Sequence, residues 1–65
     1  MEGKIIIYPS DVHRNVGKAK LGVMAAADAL GVKCDVRLSS AWLIFMGRKD
    51  RLAFLELARE EAERA

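Results

Sequence analysis

The chain has 65 residues, with 11 Lys+Arg against 9 Asp+Glu, one Cys, one His and a formal net charge of +2. That length makes one small domain, residues 1–65, and its mild basicity falls well short of the dense positive field of a protein that coats nucleic acid. Cys34 has no partner for an internal disulfide, and one Cys with one His do not supply the roughly four ligands of a structural zinc. With both staples excluded, oligomerisation is the remaining ordinary route to stability in so small a chain.

Glu2 and Lys4 flank only a short apolar run, which is not a secretory signal. The longest uncharged run, Leu38 to Gly47, is about half of what a membrane-spanning helix requires. An unpaired thiol agrees with a reducing compartment, so a cytoplasmic protein without a membrane role is expected.

Lys4-Ile5-Ile6-Ile7-Tyr8 is β-branched and aromatic and ends at Pro9, which predicts a first strand. Ser10 or Asp11 is placed to cap a helix after it. Val12, Val16, Ala19, Val23, Ala26, Ala27 and Leu30 recur at spacings of three and four, predicting a helix from about Val12 to Leu30 that stops at Gly31. Gly17 and Gly22 weaken its middle, so a later start is also open, with Asn15 as cap and residues 9–14 as a loop. A second stripe, Lys18, Gly22, Ala25 and Ala29, permits close approach by another helix, from this chain or from a second subunit.

Val32 to Leu38 alternates strictly: Val32, Cys34, Val36 and Leu38 face one way, and Lys33, Asp35 and Arg37 the other. This is a second strand, apolar on one side and charged as an edge strand is. Ser39-Ser40 makes a hairpin turn into Ala41-Trp42-Leu43-Ile44-Phe45-Met46, a third strand apolar at every position and hence covered on both faces. A second helix spans about Asp50 to Arg64. Its apolar face is Leu52, Phe54, Leu55, Ala58 and Ala62, with Leu57 at the margin, and a Glu60–Arg64 ion pair lies outside.

The order β-α-β-β-α, with a right-handed crossover between the first two strands, places the third strand between them. The expected fold is α+β: a three-stranded sheet of order 2-3-1 with two helices on one face, a ferredoxin-like pattern lacking its last strand. The label implies no function. Strand 1 then offers an uncharged edge, and the sheet face away from the helices carries apolar side chains from strands 1 and 3. Ile5, Ile7, Tyr8, Trp42, Ile44 and Met46 are the candidate contact residues, with Leu43 and Phe45 as the outward set under the opposite register.

Three constellations bear on chemistry. His13, Arg14 and Lys18 sit where a strand feeds a helix, and with Ser10, Arg37 and Ser39 they are candidates to gather on a phosphate or carboxylate. Gly17-Lys-Ala-Lys-Leu-Gly22 has neither the Lys-Ser/Thr ending of a P-loop nor a G-x-G-x-x-G pattern. Arg48, Lys49 and Arg51 open the second helix against its dipole and form a second basic cluster for an anion, RNA or an acidic partner. Cys34 and His13 lie at opposite ends of the expected sheet, so no catalytic residue is assigned, nor any metal or cofactor. Trp42 and Tyr8 are candidates to stack bases if they face outward, although the aromatic-and-Gly signature of the RNA-recognition class is absent. The expected function is non-catalytic association, as a homo-oligomer or docking subunit, through the open sheet face and the strand 1 edge. Nucleic-acid binding is the alternative, and sensing of a small anion a third reading.

Overall fold

A computed structural model describes residues 3–37 and 40–65 of the chain. The elements run β1 (Ile5–Ile7), α1 (Pro9–Val12), α2 (Val16–Leu30), β2 (Cys34–Asp35), β3 (Trp42–Ile44), a 3-10 turn (Arg48–Asp50) and α3 (Arg51–Arg64). The strands form one antiparallel sheet of order β1-β3-β2, the expected 2-3-1 arrangement. It is a small α+β domain.

The later start of the long helix is the one observed. Asn15 caps α2, its side-chain oxygen accepting from the Lys18 amide at 3.1 Å. Residues 9–14 are not a plain loop, because Pro9 opens the single turn α1, where its fixed φ and missing N–H carry no penalty. Asp11 closes that turn, accepting from the Tyr8 amide at 3.3 Å. At the far end Gly31 takes a left-handed φ of 68°, as a helix C-cap does.

The central strand settles the parity that its unbroken apolar run conceals. Ile5 pairs with Ile44 and Ile7 with Trp42 across β1–β3, and Cys34 pairs with Ile44 across β2–β3. Ile5, Ile7, Trp42 and Ile44 point toward the helices and join Ala19, Val23, Ala26, Ala27, Phe54, Leu55, Ala58 and Ala62 in one core. Val16 and Leu30, expected in that core, are exposed at the two ends of α2. Leu52 is 64% exposed in the first turn of α3, ahead of the stretch that meets α2.

α2 and α3 pack against each other through small side chains. A Cβ built on Gly22 collides with the Ala58 carbonyl oxygen and comes within 2.8 Å of Ala62 Cβ and N. The small-residue stripe is thus occupied at Gly22 by α3 of the same chain, which removes Gly22 from any contact with a second subunit. On α3, Arg64 pairs with Glu61 at 3.1 Å instead of with Glu60.

β2 is shorter than its alternation suggests. Asp35 Oδ1 accepts from the Arg37 amide at 3.2 Å and from Arg37 Nε at 3.0 Å, and Asp35 Oδ2 accepts from Arg37 Nη2 at 2.9 Å. A side chain that holds the amide two residues on takes it off the ladder, so the regular strand ends at Asp35. The expected hairpin turn at Ser39 and the outer end of that strand at Leu38 lie outside the described residues.

Candidate interaction surface

The sheet face opposite the helices is formed by the residues alternating with the core set. Ile6 is 49% exposed, Tyr8 52% and Phe45 42%, with Leu43 half-buried between them. This corrects four of the expected contact residues. The side chains of Ile5, Ile7, Trp42 and Ile44 build the subunit's own core, because the pairing register turns them toward α2 and α3. Met46 is half-buried against that core, and Tyr8 alone of the expected six lies outward.

Charge on this face follows from the same register. Extending both ladders one residue past Ile44 sets Lys4 and Lys33 on either side of Phe45. The Phe45 amide donates to the Lys33 carbonyl at 2.9 Å, which fixes the Lys33 side of that row. Two shallow hollows flank the ring. One is lined by Gly3, Lys4, Ile6, Leu43, Phe45 and Arg48, the other by Gly31, Val32, Lys33 and Phe45. The next row is Ile6, Leu43 and Asp35, and the bidentate Arg37 beside Asp35 holds its carboxyl below the usual carboxylate range. The face is therefore an apolar strip on which the exposed cations Lys4, Lys33 and Arg48 surround the exposed ring of Phe45.

The strand-to-helix turn is built differently from the expected anion site. Ser10, His13, Arg14 and Lys18 do line one hollow, together with Asp11, Arg59 and Glu63. His13 Nδ1 accepts from the Asn15 amide at 2.9 Å, and its Nε2 lies 3.3 Å from Glu63 Oε2. Arg59 Nε donates to the Asp11 carbonyl at 2.7 Å. The imidazole and the guanidinium are thus engaged in tying α1 and its flanking turn to α3. Arg37 is not in this hollow, and Ser39 lies outside the described residues. Of the second cluster, Arg48 and Arg51 line one hollow with Lys4, Ile5 and Ile6, and Lys49 does not. Arg48 joins the sheet face, Arg51 lies 3.8 Å from Asp11, and Lys49 is exposed on the 3-10 turn.

Cys34 pairs with Ile44 at the level where β1 begins, whereas His13 follows the end of β1, so they form no nucleophile–base pair. Burial, with the Asp35 charge added, pushes the Cys34 thiol upward. The thiolate is scarce near neutral pH, and alkylation by iodoacetamide is expected to run several-fold slower in the folded chain than in denaturant. Equal rates in the two states would show Cys34 to be an accessible, reactive thiol.

Among the described residues no group of three His, Cys, Asp or Glu is placed to hold a metal ion, and no helix is long and apolar enough to cross a membrane. No protein-family model, curated protein or solved structure matches the chain. The residues that sequence reading underrated are Lys4, Lys33 and Arg59. The strict alternation of β2 carries a signal for the first two, since putting Cys34 inward puts Lys33 outward beside the outward residue of β3. Nothing local marks Arg59.

Proposed function

We propose that the protein acts by association and not by catalysis, and that its first partner is a second copy joined along the β1 edge. The observation that carries this is the position of β1: it is the outer strand of the sheet, and Ile5–Ile7 has no charge to block further pairing. The edge is also self-complementary. A twofold axis through Ile6 sets Ile6 against its own copy, Ile5 against Ile7, and Lys4 against Tyr8. That last pair brings an ammonium to an exposed phenol ring, a favourable contact.

The ferredoxin-like reading of the sheet supports the same edge. A right-handed crossover leading on from β3, which runs opposite to β1, would lay its strand beyond β1. A second β1 placed antiparallel fills that position. Stacking two open sheet faces is the weaker arrangement, since it would press Lys4, Lys33 and Arg48 against their own copies.

Sedimentation across micromolar concentrations is expected to show a monomer–dimer equilibrium. Ile6→Lys sets two ammonium groups opposite each other and is expected to weaken it roughly tenfold or more, while Ile6→Val retains it. Ile6 is half-exposed, so both variants keep the fold, which circular dichroism checks. A monomer at every concentration, or an Ile6→Lys chain that dimerises as well as the parent, would remove this reading.

A further inference from the structure

We infer that the open sheet face is a binding site for single-stranded nucleic acid, centred on Phe45. The site is the row Lys4–Phe45–Lys33 with Arg48 beside it. Each feature of that row answers to a feature of a single strand. Bases present flat apolar faces, and an aromatic ring on an open sheet is a platform that any base can stack upon. Each base is bordered along its backbone by a phosphate on either side. Lys4 and Lys33 stand on neighbouring strands to either side of Phe45, so they lie about 10 Å apart at the backbone, two strand spacings. Their flexible side chains bring an ammonium to the phosphates flanking a base seated on the ring. Ile6 and Leu43 continue the apolar strip for the next base.

Charge decides between this ligand and an apolar protein surface. Lys4, Lys33 and Arg48 are all exposed, and the acid of the face, Asp35, is neutralised by the bidentate Arg37. A purely apolar partner would bury these cations uncompensated, whereas a polyanion pairs with them and releases its counterions. Duplex fits poorly, because its bases are already stacked on one another and offer Phe45 no free face. The site lies on the sheet face and the proposed dimer joint on the β1 edge; Lys4 and Ile6 belong to both, so Phe45→Leu and Lys33→Gln, which lie off that edge, test this reading apart from the dimer.

The test is fluorescence anisotropy with labelled oligo-uridine and oligo-thymidine of about ten nucleotides at low salt, followed by a salt titration. The parent is expected to bind, with log affinity falling linearly in log salt at a slope near −2, as about three phosphate contacts on a single strand give. Phe45→Leu keeps the site apolar but removes the ring, and is expected to weaken binding by roughly tenfold at every salt concentration. Lys4→Gln and Lys33→Gln are each expected to make the slope shallower by about one contact. Lys20→Gln, on the exposed side of α2, is the control and leaves both unchanged. All four positions are exposed, so folding is not at issue, and circular dichroism verifies it. Three results would overturn the inference: no binding even at low salt, binding insensitive to Phe45→Leu, or poly-glutamate competing as well as the oligonucleotide. The last would assign the face to acidic polypeptides.

Discussion

Gly22→Ala is expected to destabilise the domain, and Gly22→Leu to unfold it, although helix propensity alone predicts the opposite sign for the first. In an open helix Ala in place of Gly stabilises by about 1 kcal/mol. Here the added methyl has no room. It meets the Ala58 carbonyl oxygen and both the backbone and Cβ of Ala62, and a backbone atom cannot swing aside as a long side chain does. α3 must move outward, opening the contact that Ala19, Val23, Ala26, Ala58 and Ala62 make around it. Overpacking of this kind costs about 1–3 kcal/mol and outweighs the propensity gain. For a domain of this size each kcal/mol lowers the midpoint of thermal unfolding by about 4–8 °C. Leu adds three further carbons to the same collision, against a total stability of about 3–10 kcal/mol at this length. Thermal melts followed at the helical circular-dichroism band read both variants. Ala29→Leu, on the exposed side of the same helix, is the control and leaves the midpoint nearly unchanged. A Gly22→Ala chain more stable than the parent would mean that α2 and α3 do not cross at this point.

What was legible in the sequence follows the range of the interactions responsible. Asn15, Gly31 and Pro9 act within a turn, so the limits of α2 and the break before it can be read from neighbouring residues. The order of strands follows from connection lengths and handedness, and the observed order agrees. The outward face of β3 is a different matter. Every residue from Ala41 to Met46 is apolar, so alternation carries no information there, and parity comes from pairing with β1 and β2. Trp42, the most conspicuous side chain, was a natural candidate for a contact surface, but its volume is what fills the space under the helices. The hollow at His13 gathers Ser10, Arg14 and Lys18 as expected, but it also holds an acid and a base that the sequence does not announce. These are Glu63 and Arg59, which come from α3, some 50 residues on, beyond the reach of any local pattern.

Trp42→Ala and Phe45→Ala are expected to have opposite consequences, though the residues sit three apart on one strand and its extension. Trp42 is 1% exposed and is the largest fully buried side chain. Truncating it removes the largest side chain between β3 and the helices and leaves a cavity that Ala-rich helices cannot collapse to fill. The cost of such a truncation is about 3–5 kcal/mol, comparable with the whole stability of a domain of this size. The variant should be largely unfolded at room temperature, with the helical signal lost and hydrogen exchange unprotected throughout. Phe45 rests on the other face with much of its ring in solvent, and its truncation should cost about 1 kcal/mol or less. The same substitution should weaken the nucleic-acid binding proposed for that ring by about tenfold or more while leaving the fold in place. The reverse outcome, a folded Trp42→Ala chain and an unfolded Phe45→Ala chain, would mean that β3 is paired one residue out of the register described. Because side chains alternate along a strand, that single-residue slip would exchange the two faces entirely. The outward aromatic would then be Trp42, and the cations bordering it would no longer be Lys4 and Lys33.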